Sequence, residues 1–261
     1  MEKLYVIKIG GNIIDDKEKL SSFLHSFASI SSPKILVHGG GKLATKLAQH
    51  LGIEQQMIEG RRITDAETLK IVTMVYAGFI NKNIVAQLQA QSCAAIGLCG
   101  ADGNVIESHK RIHSSVDYGF VGDVDVINTD FLQNLLLQNI SVVMAPITHD
   151  KKGQLLNTNA DTIAQEIAQC MSRHYEVHLI YSFEKSGVLL NTEDDASIIP
   201  TITRSYYQTL KENKTIFAGM IPKLDNAFTA IEKGVSRVVI GKAENLTQLL
   251  SGGSGTSIIH E

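Results

Sequence analysis

Two hydrophobic periods alternate along the chain. Runs in which nearly every position is apolar, at residues 4–9, 35–37, 94–98, 140–146, 177–181 and 237–240, predict strands buried on both faces. Between them apolar residues recur every three or four positions, which predicts helices over 41–51, 65–91, 130–138, 160–172 and 221–234. Strands separated by helices make an α/β pattern with parallel strand order. In the long segment 65–91, Leu69, Val72, Tyr76, Phe79, Ile80 and Ile84 keep helical spacing, and Thr64-Asp65-Ala66-Glu67 reads as a capping-box start. A helix of that length suits a dimer contact, although a helix packed into its own subunit shows the same stripe. Residues 100–128 break the pattern with scattered Gly, Asp and His around short β-prone pieces such as Asn104-Val105-Ile106, and predict a hairpin excursion. Strand order alone places a boundary near Arg173, giving an N-terminal lobe 1–173 and a C-terminal lobe 174–261.

Composition narrows the class. With 261 residues and 44% hydrophobic content, the chain can bury one large core or two lobes sharing a sheet. A net charge of -3 argues against nucleic acid as the main partner and suits a small anionic metabolite. Cys93, Cys99 and Cys170 match no metal spacing and are expected to be reduced thiols. No run approaches the length of a membrane span and Met1-Glu2-Lys3 leads straight into a strand, so a soluble, cytoplasmic protein is expected.

Two of the strands run directly into glycines: Lys8-Ile9-Gly10-Gly11 and His38-Gly39-Gly40-Gly41. Side by side, such ends form a phosphate cradle, because glycine lets the backbone approach a ligand and the N–H groups opening the next helix carry partial positive charge. Neither turn is a Walker A loop: Lys42 is followed by Leu43, and Leu36 stands where the upstream glycine belongs. Neither is a GxGxxG fingerprint. Lys8 sits in an otherwise apolar strand, where an unpaired ammonium is costly, and is expected to face an anion at the strand's carboxyl end. His38, at a strand end, reads as structural.

Two further clusters carry chemistry. Asn157, Asn159 and Asp161 alternate along an extended approach to a helix, so they aim at one side; singly, Asn159 is also a helix cap and Asp161 a first-turn carboxylate. Arg62, just before the long helix, is either a fork for a carboxylate or a solvated surface charge. Lys223 stands in the first turns of a helix, where a cation opposes the dipole and calls for an anion nearby.

The whole set resembles the amino acid kinase family, over essentially the full chain. The resemblance rests on residues 8–11, 38–41, Gly60-Arg61-Arg62-Ile63-Thr64, Asp117-Tyr118-Gly119-Phe120-Val121-Gly122, Asn157-Thr158-Asn159-Ala160-Asp161 and Gly219-Met220-Ile221-Pro222-Lys223. It implies a three-layer α/β/α sandwich with an open, mainly parallel central sheet, the acyl-amino-acid substrate in the N-terminal lobe and ATP in the C-terminal one. The implied reaction is ATP-dependent phosphorylation of the side-chain carboxylate of an N-acyl-L-glutamate, an early step of arginine biosynthesis, with acetyl as the default acyl group and succinyl as the variant. Lys8 and Lys223 would then flank the transferring phosphoryl group, with Asp161 organising both. Amides at Gly10, Gly11, Gly40 and Gly41 would bind its oxygens. Arg62 and Asn157 would grip the substrate's α-carboxylate, Asn159 would lie close by, and residues 117–122 would cover the substrate. Mg²⁺ would travel with the ATP phosphates, with no protein carboxylate assigned as its ligand.

Two departures shape the expectations. The Asp-containing turn usual after the first strand of the nucleotide lobe is replaced by Ser182-Phe183-Glu184-Lys185-Ser186-Gly187, which leaves the ribose and adenine contacts unassigned. No helical extension precedes the first strand, so a homodimer without strong arginine feedback is expected. An aspartate or glutamate 5-kinase is the second reading, and would need a site for a free α-ammonium. A silent amino-acid or nucleotide sensor is the third, and would be expected to lose Lys8, Asp161 or Lys223; all three are present.

Overall fold

Six adjacent strands run parallel, in the spatial order Arg237–Lys242, Glu176–Phe183, Lys3–Ile9, Lys34–His38, Ser141–Met144 and Ala95–Leu98. Beyond Arg237–Lys242 the sheet is extended by Thr256–Ile258, antiparallel to it, and by Thr201–Ile202. These positions belong to a computed structural model, which describes residues 1–58, 61–191, 194–213, 215–216 and 220–260, without the side chains of Arg61 and Pro222. Every strand expected from the apolar runs is present. The run 140–146 pairs only over Ser141–Met144, because Pro146 has no N–H for a ladder.

Strand alternation sorts side chains onto two faces. From the first strand, Leu4 and Val6 enter one core, and Tyr5, Ile7 and Ile9 the other. The first core is closed by helices Thr129–Leu137, Ala160–Met171, Arg204–Glu212 and Ile221–Glu232. Helices Lys17–Ala28, Gly41–His50, Leu246–Ser251 and the long helical segment after Asp65 close the second. Helices on both faces of a mainly parallel sheet make the α/β/α sandwich.

The long segment differs from a plain helix. It runs as α-helix over Ala66–Thr73, as π-helix over Met74–Ile80 and as α-helix again over Asn81–Gln89. Its cap is Asp65, whose carboxylate accepts from the Thr68 amide at 2.7 Å, rather than Thr64. Thr64 is buried and serves another purpose: its amide donates to Tyr118 O (2.9 Å) and its carbonyl accepts from Phe120 N (2.6 Å). The excursion is thereby stapled to the start of the long helix.

That excursion is the expected hairpin, Ile106–Lys110 against Gly122–Ile127. A second pair, Ile147–His149 with Leu155–Asn157, joins it in a four-stranded sheet; the apolar runs of the sequence predict neither of these strands. The three cysteines are free thiols. Among the described residues no helix is long and apolar enough to cross a membrane.

Candidate active site

The two glycine turns lie side by side at the carboxyl edge of the sheet. Ile9 is in register with His38, and the Gly39 amide donates to Ile9 O at 3.1 Å. Lys42 Nζ donates to Asn12 Oδ1 at 2.7 Å and ties the residues that follow the two turns. Gly10 caps the short helix Gly11–Ile14, and Gly40 caps Gly41–His50, so both turns present helix-opening amides. Gly40 has φ +151°, and a Cβ there would stand 2.3 Å from Ile80 Cδ1 and 3.0 Å from Tyr76 Cδ1. No other residue fits that place. Gly10 and Gly11 are not crowded; their freedom leaves the backbone open to a ligand.

His38 supports this edge from below. Fully buried, it contacts Gly39 O through Nδ1 at 2.8 Å and Asn81 Nδ2 through Nε2 at 3.3 Å. The Asn81 amide also donates to Val143 O, so Nε2 accepts and Nδ1–H donates. Burial lowers the imidazole pKa to about 4, which leaves a neutral ring with a structural role.

The first lysine reaches its carboxylate through simple periodicity. Lys8 continues the Leu4, Val6 series onto the face covered by helix Ala160–Met171, whose first turn carries Asp161. Lys8 Nζ stands 2.8 Å from Asp161 Oδ1 in a charge contact that is off the angle of a hydrogen bond. The lysine side chain is only 12% exposed, so this neutralisation matters. Asn159 caps the same helix, its Oδ1 accepting from the amides of Asp161 (2.8 Å) and Thr162 (3.1 Å). Tyr181 donates its hydroxyl to Asp161 O at 3.3 Å.

Lys223 lies in the first turn of helix Ile221–Glu232, and its Nζ sits 3.7 Å from the centroid of the Phe183 ring. It makes no ion-pair contact with Asp161, which acts on it only through space. Burial lowers the Lys223 pKa and Lys8 adds to the fall, while Asp161 and Glu184 oppose it.

Two cavities meet at the Lys8–Asp161 pair. One, of ≈ 330 Å³, is walled by Gly39 to Gly41, Arg62, Arg111, Asn157, Asn159 and Asp161. The other, of ≈ 110 Å³, is lined by Lys8, Gly10, Gly11, Phe183 and Glu184. Arg62 is not a loose surface charge: Nη2 donates to Gly41 O (3.0 Å) and Thr45 Oγ1 (2.9 Å), and Nη1 to Gln55. None of these acceptors is charged, so its positive charge remains available to an anion in the cleft. Asn157, which also lines the cleft, donates its side-chain amide to Thr64 Oγ1 at 3.0 Å.

Arg111 and Tyr76 also line the cleft; the sequence gives Tyr76 only as part of an apolar helical stripe and does not single out Arg111. Arg111 lies one residue beyond hairpin strand Ile106–Lys110, and Asp123 holds it through Nε at 3.0 and 3.1 Å. Only the charge alternation within the hairpin could have flagged it. Phe183, within the segment that departs from the family's usual turn, lies against both lysines, a contact its sequence position does not announce. Gly60 and Gly219 of the quoted motifs lie outside the described residues. A wider cleft of ≈ 610 Å³ at the far sheet edge, by Thr201, Arg237 and Ser257, contains none of the candidate residues.

Comparison with known proteins identifies the family of the chain. Residues 3–242 match the sequence profile of the Amino acid kinase family. A protein named acetylglutamate kinase from Cytophaga hutchinsonii is 57% identical over 252 residues, covering 96% of this chain and 96% of its own. One of the same name from Parabacteroides distasonis is 55% identical, covering 99% of this chain and 100% of its own. Among solved structures, N-acetylglutamate synthase from Neisseria gonorrhoeae, complexed with coenzyme A and N-acetyl-glutamate, shares the fold with a TM-score of 0.84 at 22% identity. That match covers 100% of this chain, which spans 60% of the synthase chain's length. With nearly its whole length matched by the profile and by close relatives, the chain belongs to the amino acid kinase family.

Proposed function

We propose that this chain is an ATP-dependent kinase that phosphorylates the side-chain carboxylate of N-acetyl-L-glutamate in arginine biosynthesis. The observation that carries the reading is the Lys8–Asp161 pair, at 2.8 Å, standing between two cavities with Lys223 close by, in a chain 57% identical to a protein named acetylglutamate kinase. The larger cavity, with the Arg62 charge and Asn157, suits the acylated amino acid. The smaller cavity, at the start of the C-terminal half of the sheet, suits the phosphate end of ATP. On this reading the strands up to Ser141–Met144 serve the acyl-amino acid and those from Glu176–Phe183 onward serve the nucleotide.

The chemistry needs no general base. The nucleophile is a glutamate side-chain carboxylate, ionised at neutral pH with an ordinary pKa of about 4.3. One of its oxygens bonds to the γ-phosphorus as the bond to the β–γ bridging oxygen breaks; that oxygen leaves on ADP with the electron pair, and an acyl phosphate results. The protein's work is to bring two anions into line and to meet the charge on the phosphoryl oxygens. Lys8, Lys223 and the amides at Gly10, Gly11, Gly40 and Gly41 supply that charge. Asp161 fixes Lys8 and moderates the repulsion between the lysines.

No group of three or more His, Cys, Asp or Glu lies together among the described residues, so they build no cage for Mg²⁺. The ion is read as travelling on the nucleotide phosphates, as it commonly does in phosphotransferases. The same reading includes a cytoplasmic location and a homodimer; the dimer is supported by Met74 and Phe79, which stand exposed on the π-helical segment.

The test is ATP-dependent hydroxamate formation with N-acetylglutamate, N-succinylglutamate, glutamate and aspartate side by side. N-acetylglutamate is expected to be preferred, and Lys8→Ala or Lys223→Ala to lose about 10²-fold or more in kcat with the fold intact by circular dichroism. Preference for free glutamate or aspartate, or folded lysine variants at full activity, would overturn the proposal. Preference for the succinyl compound would keep the mechanism and change the acyl group.

A further inference from the structure

Phe183 closes strand Glu176–Phe183 at the carboxyl edge of the sheet, in the alternating series Val177, Leu179, Tyr181 that packs on the same face as Leu4 and Val6. Lys8 and Tyr181 are in register, so the ring two residues on reaches the level of both site lysines. Lys223 Nζ lies 3.7 Å from the Phe183 centroid and Lys8 Nζ 6.0 Å. The Tyr181 ring, tilted 32° at 6.4 Å between centroids, backs it.

The two ammonium groups are held differently. Lys8 has Asp161 in contact, whereas Lys223 forms no ion pair among the described residues. The charged groups facing Lys223 are Lys8 on the first strand, Asp161 on helix Ala160–Met171 and Glu184 just after Phe183. Desolvation and Lys8 both work against its proton. An aromatic face attracts a cation through its quadrupole, at distances up to about 6 Å and more strongly where water is excluded.

We propose that Phe183 is a positioning residue, an aromatic platform that holds Lys223 as an ammonium at the phosphoryl site until the nucleotide's phosphates take it over. This rests on the reading of Lys223 as a phosphoryl ligand. A carboxylate at the same place would hold the lysine more tightly, but it would set a negative charge against the incoming phosphates. The ring attracts the cation without that repulsion and releases it readily to a phosphoryl oxygen.

The test compares Phe183→Leu, which keeps apolar bulk and removes the quadrupole, with Phe183→Tyr, which keeps both. In chain labelled with ¹³C-lysine, the Lys223 methylene next to Nζ, assigned with Lys223→Arg, is expected upfield through the ring current in the wild type and in Phe183→Tyr. In Phe183→Leu it is expected at the ordinary position, with its titration and the alkaline limb of kcat about one pH unit lower. Phe183→Tyr restores both. An unshifted wild-type resonance, or a leucine variant with wild-type titration and pH profile, overturns the proposal. The wild-type spectrum decides the matter even if the leucine variant fails to fold. Ring-shifted Lys223 in a chain inactive on every N-acylglutamate would sink the functional reading and leave the platform standing.

Discussion

His38 shows how one residue couples the site to pH. Its neutral ring bridges Gly39 and Asn81 from inside the core, and its pKa falls from 6.5 to about 4. Above pH 6.5 the ring is neutral in both the folded and unfolded chain and makes no difference. As pH falls from 6.5 toward 4 the unfolded chain takes up a proton that the folded chain refuses, so stability is lost across that window. The loss at pH 5 is about 2 kcal/mol. Urea denaturation at pH 7 and pH 5 should show a drop larger by that amount in the wild type than in His38→Gln; equal drops would refute it. Asn159 illustrates a different economy. Read from sequence it was both a cap and a site residue, and in the fold its carboxamide oxygen caps helix Ala160–Met171 while the residue lines the cleft. The cap aims Asp161 at Lys8.

Among the elements, the strand-to-glycine turns carry the sharpest prediction. Gly40→Ala places a methyl against Ile80 and Tyr76 and demands a left-handed backbone, so it should cost about 2 kcal/mol or more and lower kcat/KM by displacing the Gly41 amide. Gly11→Ala meets only an ordinary contact with Asp15 at 3.5 Å, and its urea midpoint should stay near wild type. A Gly40→Ala midpoint equal to that of Gly11→Ala would defeat the argument. These turns were legible because their signal is local: an apolar strand, then glycine. The core strands were legible for the same reason. The π-helical turn Met74–Ile80 was not, since a stripe of Leu69, Val72, Tyr76 and Ile80 fits a period of 3.6 well enough to hide a local widening. The strands Ile147–His149 and Leu155–Asn157 are three residues each, too short for alternation to register. Phe183 is not legible because its meaning lies in Lys223, 40 positions along the chain, and Arg111 because its partner Asp123 stands on the other arm of the hairpin, in a register that the sequence does not give.

At the scale of the whole molecule, one continuous sheet joins the part read as holding the acyl-amino acid to the part read as holding the nucleotide. The site proposed for the phosphoryl group lies where strand order changes direction, with Lys34–His38 on one side of the first strand and Glu176–Phe183 on the other. The widened helical turn leaves Met74 at 55% and Phe79 at 64% exposure, an unusual outlay of apolar surface for one face. Light scattering after gel filtration should give a dimer for the wild type and a monomer for Phe79→Asp with native circular dichroism. A monomeric wild type, or a dimeric variant, would remove this face from consideration. The central position of the first strand has a further consequence, for the birth of the protein. Lys3 pairs with Glu176 and Lys8 with Tyr181, so during synthesis one edge of strand Lys3–Ile9 waits for its neighbour until all the intervening elements have been made. Closing so long a loop makes that pairing late and slow, and until it happens the exposed edge is open to pairing with other chains.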